Sequence, residues 1–410
     1  MTGFQLFGAF TTLIALFGYI NHRYLRLPES VGITAIGVAA SLGLILVGTQ
    51  VPALQQNAEK LVESLNFYEV VFHGVLPLLL FSGSLHFDVG ALAKHKLAVL
   101  LLSTLAVGLS TIFVGAGTFL LFAWAGIPLA LSYCLLFGAL ISPTDPIAVM
   151  GILKQAKVPL GIETKITGES LFNDGTAIVI FLTILAFTTS SAPPSLTDIA
   201  QLFLTEVLGA VVVGSAIGWL GTKALRQVHS YTVEIFTTLG MVTGGYALAE
   251  AIHAAAPLSV VIMGLVLGRQ GTTQALCEET KAHLFSFWEL ADELLTLMLF
   301  GLIGVQVIAL DLTVVYVGIG ASTIAIVLLS RFVSVSLPLL GLTPLKGFSP
   351  HAVTVLTWGG LRGGVSIALA LSLPPFYGKD LLLCATYFVV LFSILIQSTT
   401  LGPLLKKLGY

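Results

Sequence analysis

Charged residues are scarce in this sequence. They make up 9% of its 410 residues, whereas a soluble domain carries about a quarter. The net charge is -2 and Lys and Arg form no run, so the electrostatic footprint of a nucleic-acid-binding protein is excluded. Hydrophobic residues make up 56% of the chain, and apolar runs of membrane-spanning length recur from end to end. The composition therefore predicts a polytopic membrane protein.

Cysteine and polar linker sequence are also scarce. Cys134, Cys277 and Cys384 are far apart and form no Cys-x-x-Cys pair, which predicts isolated, reduced cysteines. The first charges, Arg23 and Arg26, follow the first apolar segment, which predicts a retained helix and not a cleaved signal peptide. Without a long tail or a linker rich in Ser and Pro, we expect no second soluble domain.

The apolar segments predict an all-α protein with about thirteen transmembrane helices. Their approximate ranges are 3–21, 27–48, 66–87, 97–125, 128–152, 164–188, 200–225, 232–253, 256–269, 285–309, 312–338, 350–373 and 380–404. Lys and Arg fall mainly in every second connection, which predicts an outside N-terminus and a cytoplasmic C-terminus in a cell membrane. The connection 49–66 is predicted to be a loop at the outer interface.

Two of the predicted spans are interrupted. Span five contains Pro143 and Pro146, which remove backbone donors, and span twelve has four glycines around Arg362. Each is the fifth span of a six-helix half. We therefore predict two inverted repeats, 1–188 and 232–410, joined by a linker helix within 189–231, with the broken helices crossing near the midplane. Such a crossing marks the substrate site in many secondary transporters.

The polar stretch Gly168-Glu-Ser-Leu-Phe-Asn-Asp-Gly175 precedes an apolar run and contains the leading candidate for chemistry, Asp174. A carboxylate within the membrane can hold a proton or coordinate a hard cation, and competition between the two is enough for exchange. The alternative is a buried acid satisfied by hydrogen bonds or by an arginine. Intramembrane ionisable residues favour the functional interpretation.

Oxygen atoms near the break in span five complete the predicted site. The hydroxyls of Thr144 and Ser170, with carbonyls freed by the break, are suitable ligands for a small cation. Asn173 is an amide, so it donates hydrogen bonds and leaves one titrating carboxylate beside it. Asp145 has two open interpretations, which are neutralisation of half-helix N-termini and direct ion binding.

The other charged residues in the apolar spans are predicted to have structural roles or to lie near the membrane interface. Glu169 and Arg362 are predicted to form a buried ion pair that joins the two repeats, since each would be costly alone. Asp292 and Glu293 either line an entrance or lie at the membrane interface. Arg331 is predicted to extend its charged end toward the cytoplasmic interface.

Three stretches together resemble monovalent cation/proton antiporter family 1, which includes the NhaP-type antiporters and the eukaryotic sodium/proton exchangers. They are Ser142-Pro-Thr-Asp-Pro146, Gly168–Gly175 and Gly359-Gly-Leu-Arg-Gly-Gly364. The resemblance spans essentially the whole chain. It implies a homodimer with a dimerisation region and a moving six-helix core.

The same resemblance implies roles for individual residues. It implies that Asp174 binds the cation or the proton with help from Thr144 and Ser170, and that Asn173 marks the electroneutral branch. It also implies the Glu169–Arg362 bridge. One departure is Ser82, which stands where many prokaryotic members have an acidic residue in a Phe-Glu-Gly stretch.

The sequence therefore predicts an electroneutral Na⁺/H⁺ antiporter that exchanges one Na⁺ or Li⁺ for one H⁺ by alternating access, with no cofactor. A K⁺/H⁺ antiporter on the same scaffold is the nearest alternative. A cation channel and an intramembrane aspartyl protease are remote alternatives, since the first needs a selectivity filter or charge rings and the second needs paired carboxylates.

Overall fold

A computed structural model describes most of the chain. The described residues are 2–145, 149, 152–153, 158, 160–189, 196–228, 230–272, 278–310, 312–342 and 351–409. Pro146, Cys277 and the predicted cytoplasmic Lys154, Lys157 and Lys346 lie outside them. Within this part of the chain the regular elements are helices and no strand occurs. Cys134 and Cys384 are buried and form no disulfide within the described residues.

The chain up to residue 145 forms a series of helices. They are α1 (Gly3–Ile20), α2 (Glu29–Gly48), α3 (Pro52–Glu63), α4 (Phe67–Glu69), α5 (Leu76–Leu85), α6 (Val89–Ser103), α7 (Leu105–Trp124) and α8 (Leu131–Ile141). A π-helical turn, Asn21–Leu25, extends α1, and another, Val70–Val75, joins α4 to α5. The helix α4–α5 is therefore continuous through this turn.

The rest of the chain continues in the same way. Its helices are α9 (Leu160–Thr189), α10 (Leu196–Leu225), α11 (Tyr231–Ala251), α12 (Ala256–Thr272), α13 (Glu278–Gln306), α14 (Val314–Leu342), α15 (Ala352–Trp358), α16 (Gly364–Ser372), α17 (Lys379–Phe392) and α18 (Ser398–Lys407). A 3₁₀ turn, Val307–Ala309, follows α13, and a π-helical turn, Ser393–Gln397, joins α17 to α18.

The all-α polytopic architecture is confirmed. Within the described residues, nine helical segments are long and apolar enough to cross a membrane, and Leu131–Ile141 and Ala256–Arg269 are shorter apolar helices. Every predicted span overlaps a helix, while the count of thirteen crossings stays a prediction. The segment 49–66 differs from expectation because it contains α3 and not only a loop. Pro52 stands at the start of α3, where a missing N–H costs no hydrogen bond.

Small residues bring α2 and α13 into close contact. A Cβ atom on Gly37 would lie 3.0 Å from the Cα of Gly304. On either side of this contact, the hydroxyl of Thr34 donates to the carbonyl of Phe300 at 3.1 Å, and that of Ser41 donates to the carbonyl of Gly304 at 3.1 Å. Membrane helices lack a hydrophobic driving force between them, so close packing and interhelical hydrogen bonds hold such pairs together.

Two helical segments are interrupted near their middle. After α8 the backbone is non-helical over 142–145, and between α15 and α16 it is non-helical over 359–363. Backbone of this kind is tolerated at membrane depth only where protein or a polar cavity satisfies its hydrogen bonds. The neighbours of the two interruptions therefore decide where a polar site can form.

The contact between α2 and α13 gives a test of the packing. We expect Gly37→Val to destabilise the protein by about 1–3 kcal/mol, because the added side chain has no space against Gly304. Gly43→Val on the same helix is the matched control, since a Cβ at Gly43 meets nothing within 4 Å. Thermal unfolding in detergent would measure both, and equal stability of the two variants would contradict this packing.

Candidate functional site at the crossing of two interrupted helices

The two interruptions contact each other directly. The backbone N–H of Asp145 donates to the carbonyl of Leu361 at 2.8 Å. Arg362 is 2% exposed, and its Nη1 donates to the carbonyl of Ser142 and, at 2.8 Å, to that of Pro143. Each broken segment therefore satisfies backbone groups of the other, which makes non-helical backbone stable at this depth.

Proline and glycine explain why these segments break where they do. Pro143 has no N–H to continue α8, and the carbonyl four residues back, that of Ala139, accepts from the N–H of Ser142 at 3.2 Å instead. On the other segment, a Cβ at Gly363 would collide with the carboxylate of Asp145, and one at Gly360 would lie 2.6 Å from Nε of Arg331. Glycine at 360 and 363 lets the backbone approach these charged side chains.

A hydroxyl and amide network ties the first interruption to α9. The hydroxyls of Thr144 and Ser170 are 2.8 Å apart, and Nδ2 of Asn173 donates to the Thr144 hydroxyl at 2.6 Å. The backbone N–H of Thr144 donates to Oδ1 of Asn173 at 3.3 Å. All three residues are buried. The structure thus brings together three of the predicted site residues, with Asn173 holding the extended backbone in place.

Asp174 lies beside this network and faces a cavity of about 310 Å³. Its side chain is 4% exposed, and within the described residues it makes no hydrogen bond or ion pair. Thr144, Asp145 and Ser366 line the same cavity. Asp174 is therefore a buried acid that faces the cavity without a hydrogen-bond or ion-pair partner among the described residues.

The chemistry available here is coordination by oxygen. Carboxylate, hydroxyl and carbonyl oxygens are the ligands that hard cations take. The same carboxylate can instead take a proton, which removes its charge. The N–H of Asp145 hydrogen-bonds across the two interruptions, and its side chain lines the cavity. These positions are compatible with both interpretations of Asp145, which are neutralisation of half-helix N-termini and direct ion binding.

The predicted ion pair between Glu169 and Arg362 is wrong. Glu169 pairs with Arg331 of α14, whose Nη1 and Nη2 donate to the two carboxylate oxygens at 2.5 and 2.9 Å. Arg331 is 4% exposed, so the prediction that it extends to the interface is also wrong. Nη2 of Arg331 donates as well to the carbonyl of Leu356 at 3.2 Å. The buried bidentate pair therefore connects α9, α14 and α15.

Helix geometry explains the correction. Glu169 and Asp174 are five residues apart and point about 140° away from each other on α9. Asp174 faces the cavity at the crossing, so Glu169 faces α14. The Nη1 atom of Arg362 donates to backbone carbonyls. In the described part of the chain, Arg362 is not within ion-pair distance of Glu169 or Asp174.

The mouth of the cavity is acidic. Glu289, Asp292 and Glu293 of α13 line it, so of the two interpretations of Asp292 and Glu293 the structure favours an entrance. Ser82 also lines the cavity, and its hydroxyl donates to the carbonyl of Trp288 at 2.9 Å. A serine in this position supplies a hydroxyl and no charge, and Asp174 is the buried one among the acids that line the cavity in the described part of the chain.

Sequence analysis missed two hydroxyls in this cavity. Ser366 on α16 and Thr167 on α9 line it, and neither hydroxyl has a hydrogen-bond partner among the described residues. An unpaired buried hydroxyl costs free energy unless water or an ion contacts it. Thr167 is seven residues before Asp174, which places both on one face of α9. The sequence spacing could therefore have predicted that Thr167 lies near Asp174. The position of Ser366 could not be predicted without knowing how the two interrupted helices cross.

A family of transmembrane transporters matches almost the whole chain. Residues 12–407 match the family model described as sodium/hydrogen exchanger, transmembrane. The chain belongs to this family. Its membership confirms the resemblance drawn from the three motifs, and it makes the protein a transporter and not an enzyme.

Named relatives of this exchanger family cover almost the whole chain. The Na⁺/H⁺ antiporter NhaP of Pseudomonas aeruginosa is 41% identical over 98% of this chain and 96% of its own. The Na⁺/H⁺ antiporter NhaH of Halobacillus aidingensis is 33% identical over 94% and 93%. The solved sodium proton antiporter MjNhaP1 of Methanocaldococcus jannaschii at pH 8 has the same fold, with a TM-score of 0.76 at 20% identity, and the match covers 99% of each chain.

The buried pair of Glu169 with Arg331 can be tested with a double-mutant cycle. Arg331→Met leaves a buried carboxylate without its partner, so we expect a loss of about 3–5 kcal/mol, most of which Glu169→Leu should restore. Arg362→Met is the comparison variant, and adding Glu169→Leu should not rescue it. Thermal unfolding in detergent measures both cycles. Stronger coupling of position 169 to position 362 than to 331 would reinstate the original pairing.

Proposed function

We propose that the protein exchanges one Na⁺ or Li⁺ for one H⁺, with Asp174 as the carboxylate for which both ions compete. The observation that supports this most is the position of Asp174, which is buried, faces a cavity with an acidic mouth and lies beside the crossing. Several relatives are named Na⁺/H⁺ antiporters, and the one from Pseudomonas aeruginosa is 41% identical.

Thr144 and Ser170 complete the proposed cation site. Their hydroxyls are 2.8 Å apart, so one ion beside Asp174 can meet both. The carbonyl oxygens of Ser142 and Pro143 already accept hydrogen bonds from Arg362, so they are less available as cation ligands. The Asp174 carboxylate with the two hydroxyls therefore supplies the ligands in this proposal, and Asp145 and water complete the shell.

One titrating carboxylate accounts for electroneutral exchange. Asn173 is an amide engaged with Thr144, so it neither gains nor loses a proton in the cycle. If Asp174 carries one monovalent ion in each direction, both crossings move the same charge. The membrane potential, worth about 2.3 kcal/mol per charge per 100 mV, then does not drive transport.

The proposal extends to the repeats, the membrane orientation and the dimer. We propose inverted repeats at 1–188 and 232–410 around a linker in 189–231, an outside N-terminus and a cytoplasmic C-terminus. In a homodimer, a dimerisation region would hold a moving six-helix core. Apolar residues on the outer faces of α1 and α10, such as Phe4 and Val212 at 85% and 67% exposure, suit contact with lipid or a second copy.

Proteoliposomes with an imposed pH gradient and a trapped pH dye test the central claim. We expect Na⁺ and Li⁺ to collapse the gradient at a rate that a valinomycin clamp leaves unchanged, and Asp174→Asn to lower the rate to that of empty liposomes. Asp380→Asn is the matched control, because Asp380 is exposed in the first turn of α17.

Each result that differs from these expectations would change a different part of the proposal. Exchange that persists in Asp174→Asn overturns the role of this carboxylate. A response to K⁺ alone keeps the site and replaces the ion, giving a K⁺/H⁺ antiporter. A rate that follows the clamped voltage overturns the one-for-one stoichiometry.

Thr144 gives a second test of the cation site. Thr144→Val keeps the shape and removes the hydroxyl, so we expect the apparent KM for Na⁺ to rise about fivefold, equivalent to ~1 kcal/mol for one lost contact. Thr144→Ser retains the hydroxyl and should stay close to the unmodified protein. The Na⁺ dependence of dye dequenching measures both variants, and an unchanged KM in Thr144→Val would remove Thr144 from the ligand set.

A further inference from the structure

A second cavity, of about 640 Å³, lies at the other end of the helices that form the Asp174 cavity. Three segments contribute to both. On α4–α5 and its π-helical turn, Phe72 lines the second cavity and Leu76 the first. On α9 the corresponding residues are Ile178 and Asp174, and α16 likewise contributes to both cavities.

The two cavities are separated by about one helical turn. Phe72 and Leu76 are four residues apart, as are Asp174 and Ile178, and a turn of helix rises about 5.4 Å. On α16, Ser366 lines the first cavity, and Leu369, three residues later, lines the second. The separating residues Phe72, Ile178 and Leu369 are buried and apolar. The cavities are therefore in series, with Asp174 at the boundary.

Glu206 of α10 is the buried carboxylate in this second cavity. It is 9% exposed, and within the described residues its side chain has no hydrogen bond or ion pair. Its backbone is fixed, because its carbonyl accepts from the N–H of Ala255 at 3.1 Å. A lone carboxylate among apolar helices is costly unless a cation or a proton reaches it.

The second carboxylate in the lining of this cavity, Glu250, already has a partner, and the remaining ionisable side chains are tyrosines and a histidine. Glu250 contacts His73 at 3.0 Å, and the second ring nitrogen of His73 contacts Glu69 at 2.6 Å. Tyr68, Tyr246 and His253 also line the cavity. Glu250 is thus held by the ring of His73, whereas Glu206 has no such partner among the described residues.

We propose that the second cavity is the ion vestibule on the opposite face of the membrane, and that Glu206 is its cation-attracting carboxylate. This inference rests on the proposed exchange function. A charge in a cleft with low-dielectric walls raises the local concentration of its counter-ion. Glu206 therefore raises the occupancy of Na⁺ next to the apolar layer, from where it reaches Asp174 once that layer opens.

Vesicles of known sidedness test the proposal. Right-side-out and inside-out vesicles carrying the full chain would be assayed at alkaline pH for Na⁺-dependent H⁺ exchange. We expect Glu206→Gln to raise the apparent KM for Na⁺ at least about threefold on one face and to leave the other face and the saturated rate unchanged. Glu206→Asp, which keeps the charge, should restore most of the affinity.

Two further variants separate charge from structure. Ser372→Lys adds a positive charge at the lining of the same cavity and should raise KM on the same face without altering Glu206. Glu279→Gln, an exposed acid on α13 outside both cavities, is the control. Unchanged KM in both Glu206→Gln and Ser372→Lys, or equal changes on both faces, would overturn the proposal. Absence of exchange in the unmodified protein would instead overturn the proposed function.

Discussion

The hydrogen bonds from Arg362 to the carbonyls of Ser142 and Pro143 are the interaction on which the site depends. Two non-helical segments meet inside the membrane, and hydrocarbon cannot satisfy their backbone groups. Arg362 supplies donors to one segment, and the bond from Asp145 N–H to the Leu361 carbonyl ties the segments together. The cost is a buried positive charge. Acids must lie nearby to balance it, and this requirement links a structural crossing to a place where cations can bind.

Helix α9 has two separate tasks on two faces. One face presents Ser170, Asn173 and Asp174 to the crossing and the cavity, while Glu169 is directed to Arg331 of α14. The bidentate pair fixes the rotation of α9 against α14, because a planar guanidinium and a carboxylate match in one geometry. With that rotation fixed, Asp174 faces the cavity although the described residues give its carboxylate no hydrogen bond or ion pair, and this is the carboxylate that the proposed exchange uses.

Local chemistry predicted the interruptions, since proline and clustered glycine break helices in any context. It also predicted that Thr144, Ser170 and Asn173 meet, because spacing on α9 and the position of the break limit the arrangement. The partner of Glu169 was not predictable in this way. Arg331 and Arg362 are both arginines in apolar helices, and choosing between them needs the tertiary packing of α14 and the carbonyls that occupy Arg362. The same holds for Ser366, whose exposure to the cavity depends on how α16 begins.

The charges at the crossing also explain why exchange would be obligatory. When all are ionised, Asp145, Glu169 and Asp174 carry three negative charges against the two positive charges of Arg331 and Arg362, which leaves one excess negative charge at the crossing. In the proposed mechanism, one Na⁺ or one H⁺ on Asp174 neutralises this charge. If the cavity closes without either ion, an uncompensated charge is sealed in a low-dielectric interior, at a cost of several kcal/mol. Either loaded form escapes that cost, so the proposed antiporter crosses with one ion or the other and the empty form stays open to the solution.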